Sequence, residues 1–171
     1  MFVTTGMWSE ECLREAKKFI KPENIIEVCN TQASGYTTLP DPSTWKIDND
    51  ASFLHVCMNE TVHGFEIPEE HFPWEKFPKD ICVIGDLSSN MGTRKIDWNK
   101  FSMVYAGAQK NMGPSGSTIV IVKRSLLGKA DPDVPVMCDW EKNENYLNGY
   151  YNTPPCWAIY VMALNVSYMN Q

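Results

Sequence analysis

The chain has 171 residues, is 43% hydrophobic, and carries 21 acidic against 15 basic residues, giving a net charge of −6 and a pI near 5.0. That length and apolar content suit one domain with a buried core. The acidic balance argues against a nucleic-acid partner, which needs clustered lysine and arginine, and no apolar run approaches membrane-spanning length.

In chain order, the first expected element is a helix with Ser9 as N-cap, Glu10 and Glu11 at its positive end and Lys17 and Lys18 in its last turn. In that frame Trp8 and Leu13 form a hydrophobic staple. Residues 30–50 are polar and turn-rich, with Gly35, Pro40 and Pro42, and read as a loop or hairpin. Phe53 to Cys57 reads as a strand, with Thr61 just beyond it. Residues 69–80, with Pro73 and Pro78, cover a surface before the next strand. Ile81 to Gly85 is a continuous apolar run of the kind buried on both faces, closed by Asp86. Leu87 to Lys100 is long enough for a crossover to a parallel strand at Phe101 to Tyr105, and Ile119 to Val122 is a further strand-like run. Residues 131–149 are acidic and irregular and read as a mobile loop near a site entrance. Thr153 and Pro154 read as N-cap and N1 of a final helix from Cys156 to about Met169. The pattern is α/β, with a mostly parallel sheet flanked by helices.

The chemistry centres on Lys110, in the run Tyr105-Ala106-Gly107-Ala108-Gln109-Lys110-Asn111-Met112-Gly113-Pro114. An amine at a strand end, walled by apolar neighbours, loses hydration in its charged form, so its pKa falls and it can add to a carbonyl as a Schiff base. The plainer reading is a solvated loop lysine. Ligands of open parallel sheets bind beyond the carboxyl ends of strands, where Asp86 and Lys110 would both emerge. A carboxylate beside a carbonyl-binding lysine suits pyridoxal phosphate, whose ring nitrogen needs an anionic partner. Asp86 also reads as a simple N-cap, and Trp8, Thr61 and Thr153 as staple, strand end and cap. The six cysteines (12, 29, 57, 82, 138 and 156) show no paired spacing, so neither a metal site nor a disulfide framework is expected. His55 and His63 flank Thr61 in packing or surface roles, and the sequons at Asn59 and Asn165 read as chance matches.

Asn59-Glu60-Thr61, Asp86-Leu87-Ser88-Ser89, the segment from Ala106 to Pro114 and Tyr151-Asn152-Thr153-Pro154-Pro155 follow one another along the chain. Together they resemble the phosphoserine aminotransferase family, part of the class V pyridoxal-phosphate aminotransferases of fold type I, over essentially the whole chain. The resemblance implies that residues 1–171 are part of the large, cofactor-binding domain, without the family's N-terminal segment and C-terminal small domain. It implies that Lys110 bonds covalently to pyridoxal 5'-phosphate and shuttles the proton in transamination. Asp86 would hold the pyridine nitrogen, Thr61 the ring's phenolic side, Gln109 the phosphate, and Trp8 would stack on the ring. Asn152 and Thr153 would reach the phosphate in a partner subunit, giving a cytoplasmic homodimer with a shared site. Its substrates would be phosphoserine, glutamate, 2-oxoglutarate and 3-phosphohydroxypyruvate, in serine biosynthesis. Arg14, Arg94 and Arg124 are the chain's arginines, and none matches the family's substrate-binding positions. Little activity is therefore expected of these residues alone. A related aminotransferase or desulfurase, and a non-catalytic dimerising fragment, are the alternative readings.

Overall fold

In the computed structural model, which describes residues 1–146 and 149–171, short apolar runs assemble into a six-stranded sheet ordered β2-β1-β3-β6-β7-β8. Its strands are β1 (Phe2–Thr4), β2 (Glu27–Asn30), β3 (Phe53–Cys57), β6 (Cys82–Asp86), β7 (Met103–Gly107) and β8 (Thr118–Val122). All neighbours are parallel except β7 and β8, which run antiparallel. A two-stranded ribbon, β4 (Asn59–Glu60) and β5 (Phe65–Glu66), follows β3 directly. The helices are α1 (Met7–Ala16), α2 (Trp140–Asn145) and α3 (Cys156–Met169).

Strand alternation divides the sheet chemically. Val3, Leu54, Val56, Val83, Val104 and Ala106 share one face and are buried in the main core. Trp45, Phe72 and Phe77 join that core as an aromatic cluster, the two phenylalanine rings stacked at 5.7 Å. Residues 69–80 thus cover the sheet, as their prolines suggest, through two short 3-10 turns. Gly85 is required in the centre of β6, because a Cβ there would lie 2.7 Å from the Phe101 ring. The other face carries Phe2, His55, Cys57, Asp86 and Tyr105, and α1 packs against β1 and β3.

Several expectations shift. β3 and the bounds of α3 stand as read, whereas β6 and β7 begin one and two residues late. Asp86 is consequently the last residue of its strand, paired with Cys57 and Tyr105 rather than lying beyond the ladder. Residues 31–52 form a loop with 3-10 turns and no hairpin. Helix α1 starts at Met7 with Gly6 as N-cap, so Trp8 lies within its first turn and is no staple, and Lys17 is its C-cap. Thr153 does not cap α3; Pro155 occupies that place. Pro154 precedes a proline and is driven out of the helical region, which moves the helix start past both prolines. The acidic stretch contains a 3-10 turn at Val136–Cys138 and α2, with residues 147 and 148 outside those described. Among the described residues no helix is long and apolar enough to cross a membrane.

His55 is buried, and burial pushes its imidazole down to about 4, against the upward pull of Asp86. A histidine whose folded pKa lies below its unfolded value contributes stability above the unfolded value and loses it as pH falls. The chain should therefore lose on the order of 3 kcal/mol between pH 6.5 and 4 through His55. Urea unfolding at both ends of that window should show a smaller pH loss for His55→Gln than for the parent.

Candidate active site

Three segments meet at the carboxyl edge of the sheet: the head of α1, the turn after β4 and the loop after β7. Glu60 joins the first two. Its side chain is fully buried, and its carboxylate accepts the Trp8 N–H at Oε2 and the Ser9 N–H at Oε1, both at 2.8 Å. Those donors lie in the first helical turn, where N–H groups lack partners within the helix and the dipole favours an anion. A carboxylate from a distant strand thus does what a local cap does elsewhere. Gly6 makes room for it, since a Cβ there would sit 2.8 Å from the Glu60 side chain. Ser9, expected as the cap, instead accepts from the Thr5 and Gly6 N–H groups at 2.8 and 3.1 Å and donates to the Gly6 carbonyl.

With the helix head fixed, the next residue along β4's turn meets it. Thr61 opens a turn closed by Gly64, whose φ of 69° is left-handed and whose N–H donates to the Glu60 carbonyl. The Trp8 indole Nε1–H donates to Thr61 Oγ1 at 3.1 Å. Lys110 Nζ donates to the same oxygen at 3.0 Å and lies 5.3 Å from the Trp8 ring centroid. Trp8, Thr61 and Lys110 are therefore one constellation. The sequence suggested an amine walled by apolar groups; Lys110 is instead exposed, held by one hydroxyl and an indole face. Among the described residues it has no ion-pair partner.

Asp86 stands at the adjacent strand end, half-buried. Its Oδ1 accepts the Ser88 N–H at 2.9 Å, and Ser88 Oγ accepts the Gly107 N–H at 3.1 Å, which ties the turn after β6 to the end of β7. Ser89 donates to the Asn59 carbonyl at 2.9 Å and so binds the same turn to β4. Cys57 lies amid these charges: burial pushes its thiol up, Asp86 and Glu60 push further, and Lys110 draws it back. Gln109 is exposed, its side chain folded against Gly107, where a Cβ would collide with the amide oxygen. Asn152 and Thr153 are exposed ahead of α3 and make no hydrogen bond to the Lys110 constellation among the described residues.

Glu60 is the residue the sequence did not single out. A glutamate two residues beyond the apolar Cys57-Met58 end of a strand is the signal that would have found it, because a buried carboxylate requires donors.

The family model for class-V aminotransferases matches residues 3–171. The chain is 40% identical over 163 residues to phosphoserine aminotransferase 2, chloroplastic, of Arabidopsis thaliana, covering 95% of the chain and 37% of that protein. It superposes with a TM-score of 0.86 and 34% identity on phosphoserine aminotransferase from Bacillus circulans subsp. alkalophilus, covering 99% of this chain and 44% of that one. The pyridoxal-phosphate-bound phosphoserine aminotransferase of Trichomonas vaginalis gives a TM-score of 0.84 at 31% identity, covering 99% and 46%. The chain thus spans less than half the length of these relatives.

Truncating Glu60 would leave two helix N–H groups, that of Ser9 buried and that of Trp8 partly so, without an acceptor. Glu60→Ala should cost about 3 kcal/mol, the scale of two hydrogen bonds to a charged group less what water recovers. A denaturant midpoint that moves by the equivalent of under 1 kcal/mol would contradict this role.

Proposed function

The chain belongs to the class-V aminotransferase family, and from that premise we propose that it forms the cofactor-binding part of a pyridoxal-phosphate transaminase. The proposed reaction exchanges an amino group between phosphoserine and 3-phosphohydroxypyruvate on one side and glutamate and 2-oxoglutarate on the other. The observation that carries this reading is the convergence of Lys110, Thr61 and Trp8 beside Asp86 at the carboxyl edge of the sheet. The names of the relatives supply the substrate.

The donor set fits the cofactor. It offers an accessible primary amine without an ion-pair partner, an indole plane, a hydroxyl and a separate carboxylate. Bound pyridoxal phosphate supplies a carbonyl carbon for an amine and an electron-poor ring that stabilises negative charge at the substrate's α-carbon. The protein's share is positional and protolytic. Lys110 Nζ would be the amine that holds the cofactor's carbonyl carbon and, once the substrate amine has displaced it, the free base that takes up and returns the transferred proton. The Asp86 carboxylate would hold a proton on the ring nitrogen, Thr61 Oγ1 would orient the ring oxygen, and Gln109 would help hold the phosphate. Trp8 covers one ring face and excludes water there, its indole anchored through Thr61 and its backbone through Glu60. Asn152 and Thr153 would reach the phosphate held by a partner subunit in a homodimer.

Orienting a dicarboxylate or phosphorylated substrate calls for guanidinium forks. Arg14 pairs with Glu11, Arg94 with Glu66 at 2.7 Å and Arg124 with Glu144 at 2.6 Å, so each is engaged at the surface. Substrate-carboxylate contacts therefore come from outside these residues, and the proposed domain assignment is part of a larger cofactor-binding domain. Because substrate positioning can supply roughly 7–11 kcal/mol of barrier lowering, the chain alone should transaminate phosphoserine far more slowly than a full-length relative.

Borohydride treatment after incubation with pyridoxal phosphate should fix the cofactor to the peptide carrying Lys110, read by mass spectrometry, and Lys110→Ala should abolish the adduct. Fixation at another lysine, or an undiminished adduct in the variant, would overturn the assignment.

A further inference from the structure

Behind Asp86, on the face of the sheet covered by α1, lies a line of polar groups for which neither the fold nor the proposed chemistry has accounted. His55 on β3 and Tyr105 on β7 sit on opposite sides of β6, the strand that carries Asp86. Their side chains cross it: His55 Nε2 and the Tyr105 hydroxyl are 2.9 Å apart, with the two rings stacked at 6.1 Å. Asp86 is the direct neighbour of Tyr105 across the β6–β7 ladder, its charge raises the phenol's pKa, and Cys12 of α1 closes the line with its sulfur 3.4 Å from His55 Nε2. A buried imidazole and a half-buried phenol have been brought to the back of one carboxylate.

Direction follows from the inventory of donors. An ionised carboxylate only accepts, so the phenol must turn its proton toward Asp86. The Tyr105 oxygen is then free to accept, and His55 supplies the N–H if its proton is on Nε2. That tautomer leaves Nδ1 as a bare acceptor, and Nδ1 is the buried imidazole atom without a partner. The opposite tautomer would bury an orphan N–H, the rarer and costlier defect. Burial keeps each member in the form this order needs, lowering the imidazole and raising both the phenol and the Cys12 thiol, the last to about 11.

We propose that Tyr105 and His55 are positioning residues for the cofactor ring, His55 Nε2–H orienting the Tyr105 hydroxyl and the Tyr105 O–H holding the Asp86 carboxylate in line with the ring nitrogen. This rests on the reading of Asp86 as the pyridine-nitrogen partner. With one oxygen engaged by the Ser88 N–H and the tyrosine directly across the ladder, the carboxylate would have its rotation restricted before any ring arrives.

The test uses the chain with pyridoxal phosphate as the probe. Long-range 15N NMR of the chain without cofactor should show His55 neutral and protonated on Nε2 at pH 7; a proton on Nδ1 would overturn the direction of the relay. In absorbance titrations, Tyr105→Phe should weaken retention of pyridoxal phosphate on the order of tenfold and shift the pH at which the bound chromophore changes colour, the scale of a hydrogen bond to a charged group. His55→Gln, whose amide nitrogen can still donate to the phenol, should stay within about threefold of the parent. His55→Leu should follow Tyr105→Phe. Circular dichroism and thermal melting confirm that each variant is folded. If the parent takes up the cofactor at Lys110 but folded Tyr105→Phe matches it in affinity and spectral pH response, the relay is wrong while the cofactor reading stands. If the parent takes up no cofactor at Lys110, that reading falls and the relay with it.

Discussion

One buried carboxylate holds the candidate site together. Glu60 receives two backbone N–H groups from the head of α1, and through them it determines where that helix starts, which way it points and where Trp8 lies. The arrangement is self-consistent at close range. Gly6 leaves the space, Ser9 satisfies the amides of the turn that precedes the helix, and the helix end provides the positive potential that a buried anion requires. Because Thr61 is the next residue, the same contact delivers the hydroxyl that both Trp8 and Lys110 address. Without the clamp, the indole, hydroxyl and amine would belong to three independently moving segments.

The sheet does the rest of the positioning. Parallel strands end together, so β3, β6 and β7 deliver Cys57, Asp86 and the Lys110 loop to a common edge, and turns beyond those ends can be stitched to one another. Ser88 and Ser89 provide the stitches, one to Gly107 and one to Asn59. Small residues make the close approaches available. Gly85 lets Phe101 pass beneath β6, and fully buried Ala106 and Ala108 bracket the turn into the lysine loop. A site made of strand ends and their turns is rigid at its base and open above, the geometry a planar ligand needs.

Much of this was legible in the sequence because it is local. A continuous apolar run marked β6, and the Thr153-Pro154 start signal pointed to α3 although neither residue caps it. Lys110 and Asp86 were recognisable from their place after such runs. The rest depended on contacts that cross the chain. Ser9 has every local mark of an N-cap, yet α1 begins at Met7, three residues earlier than that cap implies, because its partner is 51 residues away in sequence. The environment of Lys110 was read as apolar from its neighbours, but its partners come from α1 and the turn after β4. The pairing of His55 with Tyr105 across an intervening strand has no sequence signature at all.

Amide hydrogen exchange at the head of α1 tests the central claim most directly. If Glu60 caps the helix from inside the fold, the Trp8 and Ser9 amides should exchange as slowly as the amides of β3 and β6, although first-turn amides of an ordinary helix exchange readily. In Glu60→Gln, their protection should fall selectively while that of the strands is kept. Trp8 and Ser9 amides that exchange as freely as those of an exposed loop in the parent chain would contradict the account.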